Sequence, residues 1–134
     1  EKGAGCWLND QKRLRVSGRH QIVDSVFATG VPWGTKRTLP ATIRDLSRLM
    51  PECAGVRRWG AASLDLAYVA AGRYEGYWER EMHSWDFAAG MLLVSEAGGM
   101  VGPIREGRDP LEDGEILVAN PDVYDRFAKI IREV

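Results

Sequence analysis

The chain has few cysteines and no long hydrophobic run. Its two cysteines, Cys6 and Cys53, lack metal-site spacing and indicate reduced thiols in a cytoplasmic protein. No apolar run approaches the ~20 residues that a membrane-spanning helix requires, which argues against a membrane protein. Residues 1–7 lack the charged and then apolar pattern of a signal peptide. Together these absences predict a cytoplasmic globular protein.

Length and composition predict one domain with its own core. The chain has 134 residues, of which 45% are hydrophobic and 28% are charged. Residues 1–58 carry eleven Lys/Arg and five Asp/Glu, whereas residues 59–134 carry seven and fourteen. The acidic half can attract cations, or the two halves can present solvated faces that attract each other or another chain. The basic residues are scattered and form no aromatic-basic module, which disfavours a nucleic-acid partner.

Short strand-like segments alternate with helical patterns along the chain. A hairpin is predicted from Cys6–Leu8, a turn at Asn9 and Asp10, and a second strand over residues 13–16. The other predicted strands are residues 22–28, 56–59, 74–78, 100–104 and 115–119. The predicted helices are residues 39–50 after a Thr38 cap, 60–71, one from Ser84 to Gly98, and one from Pro121. This alternation predicts a layered α/β domain.

The stretch from His83 to Gly99 is the most informative part of the sequence. From Ser84 to Ser95 its one charged residue is Asp86, and most other residues are apolar or small. This pattern predicts a buried helix with Asp86 near position N2, where an ionised carboxylate needs a strong partner. The partner is either the free N–H groups of the first helical turn or a metal ion.

The N-terminus of a second helix is predicted at Gly60-Ala61-Ala62-Ser63. Small side chains there leave the first-turn N–H groups open to a phosphate or hydroxyl group. The alternative is a tight helix entry with alanines packed against a neighbouring element. On this motif alone the structural interpretation is favoured.

Acidic side chains follow the strand between these two helices. Alternation places Glu75, Tyr77, Glu79 and Glu81 on one face of the strand. Such carboxylates can bind a divalent cation or accept hydrogen bonds from a polyol, although they also occur on solvated sheet edges. His83 is either a local hydrogen-bonding residue or a substrate contact.

Three segments resemble the inositol monophosphatase family. The signature is Trp85-Asp86-Phe-Ala-Ala-Gly90, which continues to Glu96-Ala-Gly98-Gly99. The segment from Arg58 to Glu79 and the segment Phe27-Ala-Thr-Gly-Val-Pro32 match in order and spacing. The resemblance covers essentially the whole chain.

The resemblance implies a magnesium-dependent phosphomonoesterase with a sugar-phosphatase-type α/β fold, a mixed sheet flanked by helices. By analogy, Asp86 is a metal ligand near the substrate hydroxyls, and Glu79 hydrogen-bonds a substrate hydroxyl. Gly60, Ala61 and Ala62 correspond to the helix N-terminus that contacts the polyol. At Ala61 only the backbone is expected to make this contact. His83 is carried over as a substrate contact. No general acid or base is assigned to this chain.

The family's other acidic metal motifs precede the region represented here. We therefore expect residues 1–134 to be the C-terminal α/β domain of a longer enzyme, inactive without its N-terminal half. The expected substrate is inositol monophosphate or a related sugar or polyol phosphate. Fructose bisphosphate, nucleotide 3′-phosphate and histidinol phosphate remain alternatives, chosen partly by loops such as residues 33–37. A homodimer is expected, and a non-catalytic dimerisation module is the alternative from another class.

Overall fold

The computed structural model describes residues 1–31 and 37–132. Its strands are β1 (Cys6–Leu8), β2 (Lys12–Leu14), β3 (Val26–Thr29), β4 (Gly55–Arg57), β5 (Gly76–Glu79), β6 (Met100–Gly102) and β7 (Ile116–Ala119). Its helices are α1 (Leu39–Leu49), α2 (Ala62–Ala70), α3 (Ser84–Glu96), α4 (Pro110–Asp113) and α5 (Pro121–Arg132). The predicted hairpin, the other strands and the alternation with helices are confirmed, with element ends shifted by a few residues.

Strands β3 to β7 form one mixed sheet in the order β4-β3-β5-β7-β6. Strand β3 pairs in parallel with both β4 and β5, whereas β7 pairs antiparallel with β5 and β6. The carboxyl ends of β4, β3 and β5 therefore meet at one edge of the sheet, where an α/β protein places its ligands. The hairpin of β1 and β2 forms a separate small sheet.

Alternation along the strands divides the core into two layers. On one face of the sheet, Tyr77 packs with Leu66, Val69 and Phe87 from α2 and α3. On the other face, Trp78 packs with residues of α1 and α5. Because successive strand residues point to opposite faces, this confirms the predicted separation of Tyr77 from Trp78. The mixed sheet flanked by helices confirms the predicted fold class.

The segment before β3 differs from its prediction. Residues 22–24 form a 3-10 turn, and Ser25 donates its hydroxyl to the carbonyl of Gln21 at 2.9 Å. This local turn replaces the first half of the predicted strand, because it satisfies backbone and side-chain groups within the segment. Thr38 is the N-cap of α1 as predicted, but its side chain makes no capping hydrogen bond.

Helix α3 is correctly located, but the prediction that it is buried is wrong. Only one stripe of it is buried, formed by Phe87, Gly90 and Val94. Gly90 allows a close approach to α2, since a Cβ there would lie 2.7 Å from Cβ of Leu66. The opposite face of α3 has no neighbour among the described residues. Trp85 on that face is 76% exposed, and Leu92 and Leu93 are also exposed.

Candidate functional site

A cavity of about 620 Å³ lies at the edge of the sheet where the parallel strands end. The segments that follow β3, β4 and β5 meet there with the first turns of α2 and α3. The lining residues are Gly30, Val31, Arg58, Trp59, Gly60, Ala62, Glu79, Glu81, Met82, His83 and Asp86. The cavity thus contains every predicted site residue except Ala61, which is not among its lining residues.

Glu79 ends β5 and is held by its neighbour on the same face of the strand. The Tyr77 hydroxyl donates a hydrogen bond of 2.7 Å to Oε1 of Glu79. Burial raises the pKa of the Glu79 carboxyl, and the charge of Asp86 adds to this, while the Tyr77 hydrogen bond and Arg58 oppose it. Tyr77 is fully buried, and burial followed by the charge of Glu79 raises the pKa of its phenol. The Tyr77 hydroxyl, as donor, therefore holds the Glu79 carboxylate, as acceptor, in place at the cavity.

Asp86 lies in the first turn of α3, at position N3 rather than the predicted N2. The N-cap is His83 instead of Ser84, so the predicted Ser84 cap is wrong. The backbone N–H of His83 donates to Oδ2 of Asp86 at 3.3 Å, which accounts for the one-residue shift. The Asp86 side chain is exposed, so it does not carry the burial cost expected from the sequence.

Asp86 is chemically suited to hold one cation, but the described residues do not complete a metal site. Carboxylate oxygens are the donors that magnesium prefers, and Asp86 presents its carboxylate at the cavity. Within residues 1–31 and 37–132, no group of three or more His, Cys, Asp or Glu residues is arranged to hold a metal ion. A metal at Asp86 therefore needs further ligands from elsewhere.

The N-terminus of α2 forms another wall of the cavity. The helix begins at Ala62, two residues later than predicted, because Gly60 adopts a φ of +85° that a helix does not allow. Its N-cap is Ala61, whose side chain cannot cap the first-turn N–H groups. Among the described residues no side chain caps this N-terminus, and Gly60 and Ala62 line the cavity beside it.

The remaining acidic residues of the predicted strand face are separated from one another. Glu75 is buried away from the cavity, where Oε1 accepts the N–H of Val26 at 2.7 Å. Glu81 lines the cavity, has a φ of +61° and pairs with Arg37 at 2.6 Å. His83 stacks on Trp85 with ring centroids 4.3 Å apart. Most of the loop proposed to select substrate, residues 33–37, lies outside the described residues.

Sequence reasoning missed a buried carboxylate behind Glu79. Asp65 in α2 is 1% exposed, and its Oδ1 has no hydrogen-bond partner within the part of the chain that the structure describes. Burial, and then the charge of Glu79, raise the pKa of Asp65 to about 7. It also missed the contacts that hold Glu79. The period-two pattern placed Tyr77 and Glu79 on one face and was the signal that could have identified their pairing.

No described helix combines the length and apolar composition needed to cross a bilayer.

The sequence is similar to proteins named inositol-1-monophosphatase and to proteins named Nus factor SuhB. It is 47% identical over 134 residues to an inositol-1-monophosphatase of Rhizobium meliloti, covering 100% of this chain and 48% of that protein. It is 46% identical over 125 residues to a Nus factor SuhB of Pseudomonas aeruginosa, covering 92% of this chain and 46% of that protein.

The fold is also similar to a solved structure. The extragenic suppressor protein suhB from Bartonella henselae matches with a TM-score of 0.92 and 39% identity, covering 99% of this chain and 50% of that chain. The chain thus spans about half the length of the curated relatives it matches. The model of the inositol monophosphatase family matches residues 1–134. The chain belongs to the inositol monophosphatase family, and it is similar in sequence to an inositol-1-monophosphatase of Rhizobium meliloti and in fold to the inositol monophosphatase of Anabaena.

Proposed function

We propose that this chain is the C-terminal half of a magnesium-dependent phosphomonoesterase that hydrolyses inositol monophosphate or a related sugar or polyol phosphate. The observation that carries the proposal is one cavity shared by Glu79, Asp86 and the open N-terminus of α2. This set combines a hydroxyl acceptor, a hard cation ligand and N–H donors. Those are the groups needed to bind the two ends of a polyol phosphate.

In this proposal the described residues bind and orient the substrate. Asp86 would hold one magnesium ion, whose chemistry is to neutralise phosphate charge and lower the pKa of the attacking water. Glu79 accepts a hydrogen bond from a substrate hydroxyl, and its own position is held by Tyr77. The N–H groups at the start of α2, beside Gly60 and Ala62, receive another polyol oxygen, while His83 contacts the substrate at the rim.

The exposed face of α3 supports an arrangement in which a preceding half of the protein packs there. Trp85, Leu92 and Leu93 present apolar surface, which soluble proteins ordinarily cover. The chain also spans about half the length of its curated relatives. The preceding half would bring the further metal ligands, and residues 1–134 alone would be inactive. We further propose a cytoplasmic homodimer with no nucleic-acid or membrane partner.

A panel of phosphate esters tests the proposal on the complete protein. Inositol monophosphate, fructose 1,6-bisphosphate, a nucleoside 3′-phosphate and histidinol phosphate are compared with and without magnesium. We expect release of inorganic phosphate from inositol monophosphate or another polyol ester, and its loss when a chelator removes the metal. If every ester remains intact in the presence of magnesium, the proposal is wrong.

The second candidate is a non-catalytic interaction module. Relatives named Nus factor SuhB, 41–46% identical to this chain, favour it. The complete protein would then bind a macromolecular partner with an affinity that does not depend on Asp86 or Glu79. The ester panel separates this candidate from the enzyme.

A further inference from the structure

Gly30 lies directly against the carboxylate of Glu79. In the parallel pairing of β3 and β5, Thr29 is opposite Trp78, so the next residues along each strand are neighbours at the cavity edge. A Cβ on Gly30 would overlap Oε1 of Glu79 and lie 2.9 Å from its carboxyl carbon. The Glu79 carboxylate therefore occupies the volume that any side chain at position 30 would take.

Tyr77 restricts the same oxygen from another direction. Its hydroxyl donates to Oε1 at 2.7 Å, and its ring is fully buried in the layer formed with α2 and α3. A buried ring has little freedom to follow a displaced carboxylate. None of residues 1–31 and 37–132 donates a hydrogen bond to Oε2 of Glu79. Oε1 is thus the oxygen that positions the carboxylate.

We propose that Gly30 and Tyr77 are positioning residues that set where Glu79 accepts the substrate hydroxyl, and thereby determine which alcohol the site admits. The inference rests on the proposed function, in which Glu79 binds the alcohol portion of a phosphate ester. Gly30 contributes by having no side chain, and Tyr77 contributes its hydrogen bond. Neither residue takes part in the metal chemistry, so both act on substrate choice through Glu79.

The test compares Gly30→Ala and Tyr77→Phe with the unmodified complete enzyme. The substrates are inositol monophosphate and p-nitrophenyl phosphate, which has no polyol hydroxyl. For Gly30→Ala we expect the KM for inositol monophosphate to rise at least tenfold, because the new methyl group displaces Glu79. The KM for p-nitrophenyl phosphate and the magnesium concentration for half-maximal activity should change less than twofold. Tyr77→Phe should change the same KM in the same direction by a smaller factor.

Gly18→Ala is the matched control, since a Cβ at Gly18 meets nothing within 4 Å and its backbone accepts alanine. It should leave both KM values unchanged. A double variant tests whether Gly30 acts through Glu79: in a Glu79→Ala background, adding Gly30→Ala should change the KM less than twofold. An equal loss with both esters, or full additivity in the double variant, would overturn the inference.

A crystal structure of the Gly30→Ala protein provides a readout that does not depend on activity. We expect the distance between the Tyr77 hydroxyl and Oε1 of Glu79 to exceed hydrogen-bonding range. A carboxylate that keeps its place on Tyr77 would refute the positioning role. If the unmodified enzyme hydrolyses none of the esters in the panel, the proposed function fails, whereas this structure still decides whether Gly30 positions Glu79.

Discussion

Arg80 and Asp45 form a two-pronged ion pair between the end of β5 and helix α1. Nε of Arg80 lies 2.8 Å from Oδ2 of Asp45, and Nη2 lies 3.0 Å from Oδ1. Asp45 is fully buried and also accepts the indole N–H of Trp78 at 3.1 Å. The pair ties α1 to the strand that ends in Glu79, and so links the stability of the sheet to the geometry of the cavity.

Removing one partner of this pair should strongly destabilise the fold. Asp45→Ala leaves the guanidinium of Arg80 buried, with Glu115 at 3.2 Å as its one remaining ion-pair partner among residues 1–31 and 37–132. We expect the free energy of unfolding to fall by about 3–5 kcal/mol, measured by urea denaturation. The control is Glu52→Ala, which breaks the half-exposed pair with Arg126 and should cost at most about 1 kcal/mol. Equal losses in the two variants would contradict the prediction.

The buried carboxylate of Asp65 should make stability depend on pH. Its pKa is raised to about 7 in the folded protein, so the folded state holds an extra proton between about pH 4 and pH 7. Stability therefore falls as pH rises through this window. Above it, the folded state bears the full free-energy cost of holding an ionised carboxylate in a buried position. Asp65→Asn removes that cost and should stabilise the protein at pH 8 by roughly 2–4 kcal/mol.

The advantage of Asp65→Asn should shrink as the pH falls from 7 towards 4, because the folded wild-type carboxyl is then neutral and the unfolded carboxyl starts to bind its proton as well. Thermal unfolding of both proteins across pH 4–8 measures the difference in stability between Asp65→Asn and the wild type. Asp125→Asn, a change at an exposed residue of α5, is the control and should show no such trend. A stability difference that is constant with pH would show that Asp65 does not change its proton binding on folding.

Asp86→Asn tests the proposed cation ligand. In the complete enzyme we expect magnesium affinity and turnover to fall by at least tenfold while the fold survives, because an amide is a neutral and weaker ligand. Magnesium titration of phosphate release measures both quantities. Asp122→Asn is the matched control, since Asp122 is likewise an exposed acidic residue in the first turn of a helix, α5. Comparable effects of the two changes would reduce Asp86 to a helix-dipole role.

Glu79→Gln should alter substrate preference more than metal demand. The amide keeps the size of the side chain but weakens acceptance of a hydroxyl proton, so the KM for polyol esters should rise several-fold. Ester preference and magnesium titration are measured on the same preparation. Glu81→Gln, in the same cavity but paired with Arg37, separates this effect from a general loss of negative charge. A defect confined to magnesium affinity would refute the assignment of Glu79.

The sequence by itself determined the family and the order and type of most elements, but not helix α4 or the 3-10 turn before β3. Alternation separated Tyr77 from Trp78, and the family motifs selected Glu79 and Asp86 before their proximity was known. These features depend on local periodicity and on short spacings, which are written directly in the chain.

Only the tertiary structure decided which side chains meet. The burial of α3 was overestimated because apolar composition does not reveal which face has a neighbour. Gly30 and Glu79 are 49 residues apart along the sequence, as are the paired residues Thr29 and Trp78. Their contact exists because parallel pairing brings distant strand ends to one edge. Periodicity within either segment carries no information about that pairing.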